Sequence, residues 1–377
     1  GFGVMVSHAF GAKDFKLLRH YVALSLILTL IISLLLTIPT VTASRLLLAW
    51  MHTPENIIAM ADAYIKVIFA GILLTMAYNV LSGILRGIGD SRTPLYFLIL
   101  SSVLNIILDV VLIVYTGLGT AGAAYATIIA QGVSAVLCFF YMYRKYDILR
   151  TRHEDYYLDS AGVKNMLAIG VPMALNYSIT AIGTMIMQSA VNVFGSSVVA
   201  AFTAASKVSN IATQSMPTLG TAMATYCGQN LGAGKYDRIY AGMRQGLFLC
   251  FGAAATAAAI CIFGGRFIVS WFVSNPSEEI FSSAMQYLTI ASWFFLPLAM
   301  IFLYRNALQG LDQGLIPMLS GVVELACRFG VIALIPASTG FFGVCFADPA
   351  AWAGAGIPLF ITYLLWEHRM KQCSKAA

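Results

Sequence analysis

Asp109 is the residue whose position most demands a chemical explanation. It stands in an apolar run that opens near Pro94, Asn105 lies one helical turn before it, and Thr127 stands in the next apolar run. A carboxylate at membrane depth costs several kcal/mol on insertion scales, so it requires a partner, a cavity or a role. Counting 1.5 Å per residue from a helix start at Pro94 puts Asp109 about 22 Å along its helix. Counting from Gly119 puts Thr127 about 12 Å inward from the same outer end, so the two share a depth. A carboxylate, an amide oxygen and a hydroxyl form an all-oxygen set suited to a hard cation such as Na⁺, or to a proton held on Asp109. The alternative is a buried Asp satisfied by Asn and Thr for packing alone.

A second set of ionisable residues lies later in the chain. Glu324 and Arg328 are spaced i,i+4 on one helix. They read either as a self-neutralising pair or as a place where Glu324 faces a central cavity and attracts cations. Asp348 precedes Pro349 near the start of the last apolar run and reads as structural or cavity-lining. Lys207 and Arg305 sit at positions from which either could line a cavity. Arg45, Lys66 and Arg266 fall near helix ends, where long cationic side chains reach the headgroups.

The elements that must carry these residues are membrane helices. Of 377 residues, 59% are hydrophobic and 10% charged, whereas a soluble domain keeps roughly a quarter of its residues charged. The net charge of +6 is dispersed over short connections without aromatic interleaving, which argues against nucleic acid. All five His fall outside the confident spans, against a buried histidine relay, and the seven Cys are scattered singly without metal spacing. Gly117 to Gly122 matches a dinucleotide fingerprint but sits in a turn with no strand before it. No metal motif, or nucleophile with a base, stands at membrane depth, so an enzyme is not expected.

Apolar runs give ten helices, centred near residues 33, 70, 104, 131, 177, 212, 254, 295, 325 and 355. Alternate connections differ sharply in basic content. One set holds Lys13, Lys16, Arg19, Arg86, Arg92, Arg144, Lys145, Arg150, Arg152, Lys164, Lys235, Arg238, Arg244, Arg369, Lys371 and Lys375. The other, around Thr53 to Asn56, Thr116 to Gly119, Gly195 to Ser197, Asn275 to Glu279 and Ser338 to Gly340, holds no Lys or Arg. The positive-inside rule puts the first set and the C-terminus in the cytoplasm of a cell bounded by this membrane.

The chain repeats itself. Phe10-Gly11-Ala12-Lys13-Asp14 returns 221 residues later as Leu231 to Asp237, and Leu85-Arg86-Gly87 with Pro94 returns 223 residues later as Leu308-Gln309-Gly310 with Pro317. The offsets map Asn105 onto Arg328, Asp109 onto Ile332 and Thr127 onto Asp348, so the two halves are expected to divide their roles. Same-sided repeats imply parallel bundles with an even number of helices each. The expectation is an all-α membrane protein of two six-helix bundles in a parallel pseudo-two-fold repeat, divided into residues 1–150 and 151–377. The first bundle would hold four full spans, with about two N-terminal helices, some sixty residues, outside the sequence. Such architectures transport substrate between bundles, and the sequence has no Walker A motif, which favours an ion gradient as energy source.

The motifs also resemble a known family. Phe10-Gly-Ala-Lys-Asp14, Leu85-Arg-Gly-x-Gly-Asp90 with Pro94, Asn105-x-x-x-Asp109, Gly170-Val-Pro172, Gly228-Gln-Asn-Leu-Gly-Ala-Gly234, Glu324-x-x-x-Arg328 and Ala347-Asp-Pro-x-x-Trp352 together resemble the multidrug and toxic compound extrusion (MATE) transporters. The resemblance implies a twelve-helix, V-shaped, monomeric inner-membrane protein that exports small organic cations in exchange for Na⁺ or H⁺, with no other cofactor. It also implies an N-lobe cation site of Asn, Asp and Thr, here Asn105, Asp109 and Thr127, with a further Asp on a first helix outside this sequence. The rival is a lipid-linked oligosaccharide flippase of the same wider superfamily. It would gather cations such as Lys207, Arg305 and Arg328 in one cavity to hold pyrophosphate.

Overall fold

A computed structural model of the chain describes residues 1–51, 53–273, 277–334 and 339–376, and the side chains up to residue 372. His52, Asn275, Ser338 and the Lys375 side chain, named above, lie outside the described residues. The helices are α1 Phe2–Gly11, α2 Phe15–Thr42, α3 Ser44–Trp50, α4 Glu55–Ala70, α5 Ile72–Gly87, α6 Arg92–Val110 and α7 Gly119–Lys145. They continue with α8 Ser160–Asn192, α9 Ser196–Thr213, α10 Ser215–Gly232, α11 Tyr236–Val269 and α12 Glu278–Ser292. The last four are α13 Phe295–Gly310, α14 Leu315–Leu334, α15 Gly340–Val344 and α16 Ala347–Ala376.

Among the described residues, seven helical stretches are long and apolar enough to cross a membrane, and nine if the bent pairs α4/α5 and α12/α13 each count as one span. The remaining expected span, α9 with α10, is helical, but it is not among these nine. Its sequence is diluted by Ser, Thr, Gln and Asn and by Lys207. Helix ends are set by local chemistry: Asp14 caps α2 by accepting from the Leu17 N–H at 2.9 Å, as short acceptors at N-caps do. At the start of α6 Asp90 takes the Thr93 N–H at 3.0 Å, the Thr93 hydroxyl at 2.6 Å and the Tyr146 hydroxyl at 2.6 Å. The Gly-Asp motif before Pro94 is therefore a cap that also holds the end of α7. Near the helix ends, Lys66 pairs with Asp62 and Arg266 with Glu278, each at 2.7 Å.

The sequence repeat reappears in backbone detail. Asp14 N–H bonds to the Ala9 carbonyl at 3.1 Å, and its equivalent Lys235 N–H bonds to Asn230 at 2.8 Å. Asp90 N–H bonds to Leu85 at 2.9 Å, and its equivalent Gln313 N–H bonds to Leu308 at 2.9 Å. These are helix C-caps that require a left-handed residue. In the first pair that residue is Lys13 (φ 58°) or Gly234 (φ 66°), and in the second Gly89 (φ 97°) or Asp312 (φ 62°). Each device thus has glycine in one copy and a strained side chain in the other. Lys13→Gly is expected to stabilise the protein by about 1 kcal/mol, because a Cβ in that region costs roughly 1–2 kcal/mol. A thermal-unfolding midpoint no higher than wild type would contradict this. The spans bend at equivalent places as well, by 45° between α4 and α5 at Gly71 and by 52° between α12 and α13 at Trp293 and Phe294.

The chain divides into two compact units, Phe2–Met166 and Leu167–Ala377, with Gly1 grouped with the second. The first holds α1 to α7 and the start of α8, and the described residues of the second are mostly helical around a core that includes Phe295, Tyr304 and Leu308. The division falls later than residue 150, where polarity alone placed it. The segment from α7 to α8 docks on α2: Arg19 meets Asp155 at 3.4 Å, and His20 bonds the Asp155 carbonyl at 3.1 Å and the Asp159 carboxylate at 2.7 Å. His20 is therefore buried at the start of a membrane helix rather than outside the spans.

Candidate functional site

In the first unit α6 and α7 pack as an antiparallel pair. Asn105 on α6 donates from its amide to the Thr127 hydroxyl on α7 at 3.3 Å, and Thr127 donates to the Ala123 carbonyl at 3.0 Å. Asp109 stands one turn farther along α6, and its Oδ1 is buried with no hydrogen-bond partner. The depth count pairs Asp109 with Thr127, whereas the structure pairs Asn105 with Thr127. Immediately after Asp109 the helix opens into a π-type turn, Val111–Tyr115. Such a turn rises less per residue, which shifts the register by a fraction of the 5.4 Å helical pitch.

Asn105 and Thr127 thus meet across the seam, and one turn farther along α6 one carboxylate oxygen of Asp109 is left to accept. An acceptor buried without a donor is costly unless a cation or proton meets it. One residue was missed: Gln131, one turn along α7 from Thr127, whose Oε1 is also buried without a partner. Its i,i+4 spacing from Thr127 in an apolar run was the available signal.

The equivalent seam of the second unit is filled differently. Arg328, the counterpart of Asn105, donates from Nε to Oδ1 of Asp348, the counterpart of Thr127, at 2.9 Å. Arg328 Nη2 also lies 3.4 Å from Glu324 Oε1, and Arg305 on α13 reaches Glu324 Oε2 at 3.0 Å. Tyr287 on α12 donates to Asp348 Oδ2 at 2.9 Å, and Arg305 reaches the Ser320 hydroxyl at 3.4 Å. Arg305, Glu324 and Arg328 are 8%, 6% and 4% exposed, so two cations and two anions compensate one another away from solvent.

Glu324 and Arg328 are thus paired in a network that extends over α12, α13, α14 and α16. Asp348 belongs to the same network. Lys207 does not: it is exposed, its ammonium 5.4 Å from the Phe272 ring centroid. The three cations proposed for one cavity are thus split, two spent on carboxylates and one standing apart. Tyr287 and Ser320 carried no signal in the sequence, since each is an unremarkable polar residue on a helix.

Among known proteins, the MatE family model matches residues 1–111 and 172–334. The probable multidrug resistance protein YpnP of Bacillus subtilis is 29% identical over 345 residues, which cover 90% of this chain and 76% of that protein. The probable multidrug resistance protein YoeA of the same organism is 28% identical over 303 residues, covering 78% of this chain and 65% of that protein. The chain thus spans about two thirds to three quarters of these relatives. A crystal structure of MATE in complex with MaL6 shares the fold with a TM-score of 0.91 at 22% identity, over 99% of this chain and 85% of that one. With a family model matching most of its length, on a fold of apolar helices in two units, the chain belongs to the MatE family of multi-pass membrane transporters.

Proposed function

We propose that the protein exports small organic cations and drugs across the inner membrane in exchange for Na⁺ or H⁺, with Asp109 as the coupling residue. The observation that carries this reading is the Asp109 carboxylate oxygen, buried with no donor, one turn from the Asn105–Thr127 pair. Na⁺ suits the oxygens of Asp109 and Asn105 with the Thr127 hydroxyl, and a proton suits Asp109 alone. No other cofactor enters the reading. The protein acts as a monomer among lipids, with its C-terminus in the cytoplasm, on the strength of the basic connections. The names of both relatives accord with drug export.

Coupling at one seam only is supported by the contrast between the units. Where Asp109 stands, the second unit has Ile332 and a closed ion network beside it. The same network weighs against the flippase reading, because Arg305 and Arg328 are already engaged by Glu324 and Asp348 and offer little to a pyrophosphate.

The test is efflux of a fluorescent organic cation from vesicles under an imposed Na⁺ or H⁺ gradient. Wild type is expected to export under one of the gradients, which names the ion, and Asp109→Asn at equal folded yield is expected to fall to the leak rate. Export by Asp109→Asn at the wild-type rate would make Asp109 structural. No export of cations by wild type under either gradient would favour the flippase.

A further inference from the structure

His20 is enclosed by acceptors. Its Nδ1 lies 3.1 Å from the Asp155 carbonyl and its Nε2 lies 2.7 Å from Asp159 Oδ1. The ring is 5% exposed and stacks on Tyr157 with centroids 4.1 Å apart. An imidazolium can donate to both acceptors, whereas a neutral imidazole has one N–H and must turn a lone pair toward the other. Both acceptors belong to the segment that joins α7 to α8, and His20 belongs to α2.

We propose that His20 and Asp159 form a proton-dependent latch, which fastens the α8 end of the segment joining α7 to α8 onto α2 when His20 is charged and loosens that end when His20 is neutral, while Arg19 keeps the Asp155 end in place.

The surrounding charges set the sign. From α2, Arg19 pairs with the Asp155 carboxylate at 3.4 Å, so that carboxylate is held whatever the state of His20. The Arg152 N–H donates to the same carboxylate at 2.7 Å. From the joining segment Asp147, Arg150 and Arg152 line, with Arg19, Tyr143 and Thr151, a polar cavity of about 340 Å³. Asp147 is taken by Arg150 at 2.8 Å and Glu154 by Arg152 at 3.6 Å. His153 and Lys164 are exposed.

At the start of α8, Asp159 accepts the Gly162 N–H on Oδ2 at 2.6 Å while Oδ1 faces His20. The Gly162 N–H, and after it His20, hold the Asp159 carboxyl below the usual carboxylate range. A depressed carboxylate contributes above its unfolded pKa and is lost only as pH falls through the folded value, which lies below the ordinary carboxylate range. Between about pH 5 and 8, where histidine changes charge, Asp159 stays ionised. Within that window the latch is closed at the acidic end and opens as pH rises.

Hydrogen exchange read by mass spectrometry on the intact protein in lipid nanodiscs tests this. The reporter is the Gly162 amide, which bonds to Asp159, and the Arg152 amide, which bonds to the Asp155 carboxylate that Arg19 holds, is the internal control. After correction for intrinsic exchange, wild-type protection at residues 159–163 is expected to fall about tenfold between pH 5.5 and 8.5, as one charge-assisted hydrogen bond is lost, while protection at Arg152 holds. His20→Gln, which cannot change charge, is expected to show no such step, and His153→Gln to keep it. Asp159→Asn keeps an acceptor but removes the charge, so its step is expected at lower pH, and it carries the test if His20→Gln fails to fold. A wild type without a step, a step that survives His20→Gln, or a step unmoved by Asp159→Asn overturns the proposal.

Discussion

Arg328→Met is expected to destabilise the protein by about 3–5 kcal/mol, the range for removing one partner of a buried ion pair. Arg328 is 4% exposed and answers two carboxylates, Asp348 at 2.9 Å and Glu324 at 3.4 Å. Without it Glu324 keeps Arg305 at 3.0 Å, while Asp348 keeps only the Tyr287 hydroxyl at 2.9 Å and becomes a partly buried anion without a cation. The double variant Arg328→Met, Asp348→Asn removes one cation and one anion together and leaves Tyr287 an acceptor. It is expected to recover a large part of the loss, because the penalty comes from the stranded charge rather than from the missing bond. Thermal unfolding of the three proteins in one detergent measures this. A double variant as unstable as the single would mean that the packing of the Arg328 side chain, not its charge, matters there.

Gly310→Ala is expected to cost about 3 kcal/mol or more, at the upper end of overpacking effects. A Cβ on Gly310 would lie 2.4 Å from the backbone oxygen of Ala224, so no side-chain rotation relieves the clash and α10 and α13 must separate. The equivalent Gly87 meets the Gly3 oxygen at 2.9 Å, a milder version of the same contact in the first unit. Gly252 on α11 has nothing within 4 Å of its would-be Cβ, so Gly252→Ala is expected to be neutral or to stabilise by about 0.5–1 kcal/mol. Opposite signs at these two glycines, read as folded yield and unfolding temperature, are the expected result. A tolerated Gly310→Ala would mean that α10 and α13 do not approach this closely.

The glycine contacts also show how deep the duplication runs. Sequence comparison finds Leu85-Arg86-Gly87 and Leu308-Gln309-Gly310 as similar words, and the structure explains the shared glycine by a close backbone approach in each unit. The mapping of Asn105 onto Arg328 and of Thr127 onto Asp348 was legible from offsets alone. That both pairs bond, one as amide to hydroxyl and one as ion pair, was not, because offsets carry no rotamers. A seam built to one plan thus leaves an acceptor open in one unit and pairs each carboxylate with an arginine in the other, with the Arg305 Nε–H left without an acceptor.

By itself the sequence determined the solvent, the helical class and the duplication, and it singled out Asn105, Asp109 and Thr127 as candidates, because hydropathy, offsets and one costly intramembrane acid are local or periodic properties. Tertiary structure alone decided which partner each charge takes. Arg305 and Glu324 lie on different helices, Tyr287 and Asp348 are 61 residues apart, and His20 and Asp159 are 139 residues apart. It also decided where the first unit ends, since polarity marks residues 143–159 as a connection but only the docking of Asp155 and Asp159 onto α2 makes them part of that unit. The physical reason is the same in each case. A buried charge is tolerable only beside its complement, and in a helical bundle that complement comes from a neighbouring helix whose distance along the chain says nothing of its distance in space.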